Sequence, residues 1–137
     1  MELMITIAIF VVLAASTFGL AGRLIQKSAL QNTEENILTT LGEAQDRAMK
    51  GEQGSAWGVY FQTGSYILYA GNAYVLRTIA LDRRQMVPTT YSFSGLHEVT
   101  FRKITGKPFT GGTIAIQYAE AGTSVIAVNS VGSIFRQ

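Results

Sequence analysis

The chain begins with an uninterrupted run of uncharged, mostly apolar residues, which extends from Leu3 to Gly22. Glu2 stands directly before this run. Twenty helical residues span about 30 Å, which is the thickness of the hydrocarbon core of a bilayer. A domain of this size cannot cover such a helix on all sides, so residues 1–22 are expected in a membrane or among other helices.

Beyond Gly22 the apolar residues follow one face of a helix, with acidic and basic residues on the other faces. The residues of this stripe, which we expect to pack on a sheet, are Leu30, Ile37, Leu41, Ala44 and Ala48. Gly51 and Gly54 supply the stop signal. The pattern predicts one helix from about residue 2 to about residue 50, apolar in its first half and amphipathic over residues 23–52.

After Gly54 the apolar positions alternate with a period of two, which is typical of short β-strands. The predicted strands are Trp57–Phe61, Ser65–Ala70, Leu76–Leu81, Thr89–Phe93, Glu98–Arg102, Thr113–Tyr118, Ser124–Asn129 and Ser133–Arg136. The connections are short and leave no room for a second helix, so the sheet is expected to be antiparallel. The predicted fold is α+β, with the amphipathic half of the helix packed on one antiparallel sheet formed by residues 53–137.

The composition limits the kinds of catalytic and binding site that the chain can form. The 137 residues include no cysteine, which excludes disulfides, a thiol nucleophile and thiolate metal ligands. The only histidine, His97, has few acidic neighbours, so we predict no metal site and no cofactor. Ser94, His97 and Glu98 lie close in sequence without a nucleophile-elbow motif, and we predict that the protein is not an enzyme.

Two small groups of basic residues are candidates for nucleic-acid contact, although the net charge is only +2. They are Arg83 and Arg84, followed by Arg102, Lys103 and Lys107. The other interpretation of both groups is a solvated face that keeps the domain soluble.

The opening Glu2–Ile9, with the sequence ELMITIAI, is followed by Leu13–Ala15, with the sequence LAA. Together they resemble the N-terminal signature of type IV pilins and of type II secretion pseudopilins. The remainder resembles the H-type minor pseudopilin domain more loosely, through a strand such as Gly58–Phe61 and a closing strand pair around Gly132.

The resemblance implies a pilin-like fold and a structural role without covalent chemistry. In that family a prepilin peptidase removes a basic leader and methylates the new N-terminus. The subunit then resides in the inner membrane as a single-pass protein before it is incorporated into a periplasmic or extracellular fibre of sister subunits. By resemblance, Glu2 pairs with the N-terminus of a neighbouring subunit, and Leu3, Ile5 and Ile9 belong to the helical bundle of the fibre.

The chain departs from the family pattern because Met1 stands immediately before Glu2. We expect a leader upstream of this sequence, and an unprocessed variant is the alternative. Arg23 and Lys27 follow the apolar run and no basic residue precedes it, so the positive-inside rule would place the C-terminal domain in the cytoplasm. A basic leader would reverse this predicted orientation.

Two functions therefore stay open at this point. The first is a minor pilin or pseudopilin of a type IV pilus or a type II secretion pseudopilus. The second is a single-pass membrane-anchored β-domain that binds DNA or another ligand and does not polymerise.

Overall fold

The structure is a computed structural model that describes residues 2–88, 91–118 and 122–137, with no side chain described at 2–3, 15–21 and 23. These residues form one α-helix and two four-stranded sheets in which all strands pair antiparallel. The predicted α+β class with antiparallel pairing is confirmed.

Helix α1 extends from Glu2 to Met49. Its last turns carry ion pairs four residues apart, with 2.7 Å between Arg47 Nη2 and Glu43 Oε1. The helix ends where Gly51 takes a left-handed conformation at φ 63° and donates its N–H to the Ala48 carbonyl at 3.0 Å. Glycine carries no Cβ that would oppose this conformation, which explains the position of the stop.

The strands divide between two sheets. The strands of the first sheet are β1 (Trp57–Gln62), β2 (Ser65–Ala70), β3 (Arg83–Met86) and β5 (Glu98–Phe101), in the order β3-β2-β1-β5. The strands of the second sheet are β4 (Tyr91–Gly95), β6 (Gly112–Tyr118), β7 (Gly122–Val128) and β8 (Ile134–Arg136), in the order β4-β6-β7-β8. The prediction of a single sheet was wrong, because alternation marks the buried face of a strand and does not say which strands pair.

The core lies between the second half of α1 and the two sheets. The apolar helical stripe packs there with Trp57, Val59 and Phe61 of β1, and with Ile114 and Ile126 of the second sheet. Among the side chains of α1 that the structure describes, Leu30 is the first that is buried, and the amphipathic part of the helix covers apolar side chains of both sheets.

The segment between β2 and β3 contains no strand where Leu76–Leu81 was predicted. Two 3₁₀ turns, Tyr74–Leu76 and Ile79–Leu81, lie there instead. Leu76 and Ile79 belong to the predicted strand, yet both side chains are exposed. The prediction of Thr89–Phe93 includes residues 89–90, which lie outside the described part of the chain.

Candidate assembly surfaces

The first part of α1 presents apolar side chains to solvent. Met4, Ile5, Ile7, Ile9, Phe10 and Val11 are between 55 % and 78 % exposed. A side chain of this type gains about 1.5–3 kcal/mol when it leaves water for an apolar surrounding. This part of the helix therefore carries a large driving force for association or insertion.

Within the part of the chain that the structure describes, no helix has a stretch that is long and apolar enough to cross a membrane.

Of the four residues predicted to mediate assembly, Ile5 and Ile9 lie on this exposed part of α1. Glu2 and Leu3 belong to the helix, but their side chains lie outside the described part of the structure. The same holds for the side chains of residues 15–21 within the predicted segment 3–22.

The residues predicted to pack the helix on a sheet all lie in the core. Ile37, Leu41, Ala44 and Ala48 are fully buried, and Leu30 is nearly so. They come together because positions three, four or seven residues apart share one face of a helix.

The basic residues proposed for nucleic-acid contact do not form one patch. Arg83 and Arg84 belong to β3, at one edge of the first sheet, whereas Arg102 follows β5, at the opposite edge. Strands lie about 4.8 Å apart, so the two edges are separated by about 14 Å. Lys103 and Lys107 belong to the turn after β5 and lie on the side of Arg102.

Arg83 and Arg102 also interact within the domain. Arg83 Nη2 donates a hydrogen bond to Glu43, and the Arg102 guanidinium lies 5.0 Å from the centre of the Phe109 ring. Burial by itself raises the pKa of Glu43, but the hydrogen bonds and charges of Arg83 and Arg47 outweigh it and lower the pKa. Arg83 therefore ties β3 to the helix.

The far end of the domain, which we define as residues 49–56, 71–79 and 103–106 around the C-terminus of α1, was not predicted as a site. The Ile104 N–H donates to the Ala48 carbonyl at 2.8 Å, which places the turn after β5 on the end of the helix. A shallow cleft of about 290 Å³ lies beside it. Its lining residues are Gly54, Ser55, Ala56, Gly71, Asn72, Leu76, Thr78 and Lys103.

The carboxylate of Glu98 is occupied by structural hydrogen bonds. Its Oε1 accepts from the Tyr69 hydroxyl and, at 2.7 Å, from the backbone N–H of Tyr74. Burial, followed by the hydrogen bond to Glu98, raises the pKa of Tyr69 well above its usual range. Glu98 thus anchors the segment after β2, and its bonds do not link it to Ser94 or His97.

No group of three or more histidine or acidic side chains converges within the described ranges in a way that could hold a metal ion. Comparisons of the chain with known protein families, with curated proteins and with solved structures find no match.

Proposed function

We propose that the protein is a non-enzymatic subunit of a pilin-like fibre, a minor pilin or pseudopilin, which assembles through the first half of α1. The observation that carries this proposal is the row of exposed apolar side chains at residues 4–11, on the same helix that packs into the folded domain. These side chains have a lower free energy in lipid or in a bundle of sister helices than in water, and such a subunit passes through both surroundings.

The N-terminal signature supports the same function. A carboxylate at the head of an apolar helix is expensive in lipid unless a positive charge compensates it. The N-terminus of a neighbouring subunit is such a charge, and pairing with it would set the axial position of each subunit. The inner membrane, a prepilin peptidase and sister subunits are the partners that this function requires.

The proposal is tested by Glu2→Ala in the full-length chain, produced in a bacterial host and followed by the fraction recovered in sheared, sedimented fibres. We expect Glu2→Ala to reduce incorporation strongly while the chain still fractionates with the membrane. Asp46→Ala is the matched control, since it removes a carboxylate from the same helix at an exposed pair with Lys50. Incorporation of Glu2→Ala at the level of Asp46→Ala counts against the proposal.

The rival function, a membrane-anchored domain that binds a ligand without polymerising, predicts a different result. The wild-type chain would then stay monomeric in membranes at every expression level. The separation of the two basic groups gives no support to DNA as that ligand.

A further inference from the structure

The connection between β5 and β6 carries a concentration of positive charge on residues 102–109, which we call the basic loop. Arg102, Lys103 and Lys107 lie within it, and the stretch 99–119 contains no acidic residue. All three basic residues are exposed. None of them takes part in an ion pair among the residues that the structure describes.

The acidic residues near the end of α1 do not neutralise this charge, because each is paired with a cation of the helix. Asp46 Oδ2 lies 2.6 Å from Lys50 Nζ, and Glu52 Oε1 lies 3.7 Å from Arg47 Nη1. The basic loop therefore keeps its three charges for an anionic partner.

The basic loop is closed and held in place by hydrogen bonds. The Arg102 N–H donates to the Lys107 carbonyl at 2.8 Å, and the Gly106 N–H donates to the Arg102 carbonyl at 3.0 Å. Gln45 Nε2 of helix α1 donates to the Gly106 carbonyl at 3.0 Å. The loop thus presents its side chains from an ordered backbone, which lowers the entropic cost of binding.

Ile104 is exposed at the tip of this loop. Its N–H donates to the Ala48 carbonyl at 2.8 Å, and its φ of 71° is unfavourable for a β-branched residue. The side chain is 71 % exposed, so packing in the core does not offset this strain. Strain of this kind is retained where the surrounding structure imposes it, and it often marks a functional surface.

Other apolar side chains are exposed beside Ile104. Phe109 is 47 % exposed, and its ring lies under the guanidinium of Arg102. Val131 is exposed in the turn between β7 and β8, and this turn lies next to the loop, since Gln45 also donates to its Gly132 carbonyl. Exposed apolar side chains grouped at one end of a domain are typical of an interaction surface.

This combination of side chains fits an anionic lipid surface. At such a surface apolar side chains enter the region of the acyl chains, while lysine and arginine stay beside the lipid phosphates. A nucleic-acid duplex offers phosphates to the cations but no apolar surface to Ile104. A folded acidic protein would need a pocket shaped for the projecting isoleucine, whereas a fluid lipid surface adapts to it.

We propose that the basic loop binds the surface of an anionic membrane, with Ile104 among the acyl chains and the three basic side chains beside the phosphates. The loop contacts the C-terminal end of α1, about 55 Å along the helix from the exposed apolar residues 4–11. It is therefore available to a membrane other than one that holds those residues. This inference goes beyond the proposed function and does not depend on entry into a fibre.

The full-length chain in nanodiscs of neutral phosphatidylcholine tests the proposal, because the disc accommodates residues 4–11 and leaves the basic loop free. The discs are mixed with sucrose-loaded vesicles made of equal parts of phosphatidylcholine and phosphatidylglycerol, and the vesicles are sedimented. We expect the chain to sediment with these vesicles and to remain in solution with vesicles of phosphatidylcholine alone. Discs without protein are the control for contact between discs and vesicles.

Two variants separate the apolar contribution to binding from the electrostatic one. Ile104→Ser should lower the partition coefficient about tenfold, since it removes the side chain that enters the acyl region. Lys103→Gln should lower it about fivefold. Arg84→Gln is the matched control, because it removes an exposed arginine from β3, and its partition coefficient should stay at the wild-type level.

Insertion is measured directly with Ile104→Trp and with brominated phosphatidylcholine in the added vesicles, which quenches a tryptophan that enters the acyl region. The native Trp57 is 1 % exposed and contributes no such signal. We expect quenching at position 104. Met86→Trp is the control and should show no quenching, because this exposed position shares β3 with two arginines but lies outside the basic loop.

The proposal is overturned if the chain does not sediment with the anionic vesicles. It is also overturned if Ile104→Ser binds like wild type, or if a DNA duplex competes equally well against wild type and Ile104→Ser, since either result describes a general polyanion surface. None of these outcomes bears on assembly through the first half of α1, which Glu2→Ala measures separately.

Discussion

The carboxylate of Glu34, only 2 % exposed on helix α1, lies 3.0 Å from Nε of Arg136 in β8, whose side chain is 58 % exposed. Glu34 Oε1 accepts no hydrogen bond from any residue that the structure describes, so the contact is an ion pair without hydrogen-bond geometry. Arg136 is therefore the charge that compensates a buried acid, and it joins the last strand to the helix.

Arg136→Ala should lower the free energy of unfolding by about 2 kcal/mol, because it leaves a buried carboxylate without its partner. The loss is smaller than in a fully buried pair, since water reaches this site through the exposed arginine. Urea unfolding of the full-length chain in detergent measures it.

Glu34→Gln in the Arg136→Ala background tests the cause. The neutral amide removes the uncompensated charge, so the double variant should be more stable than Arg136→Ala alone. Arg84→Ala, a surface arginine of β3, is the control and should change stability by less than about 0.5 kcal/mol. A double variant less stable than Arg136→Ala contradicts the ion-pair explanation.

Gln45 connects two turns to the helix. Its Nε2 donates to the carbonyls of Gly106 at 3.0 Å and of Gly132 at 2.8 Å. Gln45→Glu puts an acceptor opposite two acceptors and should cost about 3 kcal/mol of unfolding free energy. Gln62→Glu is the matched control, because the Ser65 hydroxyl that now accepts from Gln62 can donate to the new carboxylate. Equal losses in the two variants contradict this role of Gln45.

Gly58 belongs to β1, which lies between β2 and β5 in the first sheet. A Cβ at this position would stand 2.6 Å from the Tyr69 hydroxyl and 2.7 Å from the Val99 carbonyl oxygen. Gly58→Ala should therefore destabilise the protein by about 2–3 kcal/mol through overpacking.

Gly42→Ala is the opposite case, since nothing lies within 4 Å of a Cβ there and the residue is helical. It should stabilise the protein by about 0.5–1 kcal/mol. Thermal unfolding of both variants, compared with wild type, measures the two effects, and shifts of the same sign would contradict the packing argument.

Tyr69 makes the stability of the folded protein depend on pH in the alkaline range. Its phenol has a raised pKa in the folded protein, through burial and the hydrogen bond to Glu98, whereas in the unfolded chain it ionises near its ordinary value. Above about pH 10 the folded state binds more protons than the unfolded state. The contribution of Tyr69 to stability is therefore fully present below that pH and falls as the pH rises further, by about 1.4 kcal/mol per unit.

Tyr69→Phe should make the decline above pH 10 shallower, as measured by urea unfolding at a series of pH values. It should not abolish the decline, because burial also raises the pKa of Tyr66. An unchanged slope would mean that Tyr69 does not control it.

The α+β class could be predicted because the change from helical to alternating periodicity falls sharply at Gly54. Ser65–Ala70 was predicted with the bounds that the structure gives, since turn glycines delimit an apolar run. The edge strand Arg83–Met86 was missed because its side chains are polar and mostly exposed, so the alternation that marks a half-buried strand is absent.

The far end could not be predicted, because it is assembled from segments distant in sequence. Leu76 and Lys103 line one cleft only through the pairing of β1, β2 and β5. Positive φ at Ile104 has no signal in the sequence, since isoleucine is among the residues least suited to that conformation.

The chain forms β1, β2 and β3 in the first sheet, enters the second sheet with β4, and returns to the first with β5 before β6 begins. Neither sheet is a contiguous piece of polypeptide, so no single cut separates one from the other. The domain should then melt as one cooperative unit, and a proteolytic nick in the β4–β5 connection would weaken both halves of the molecule together.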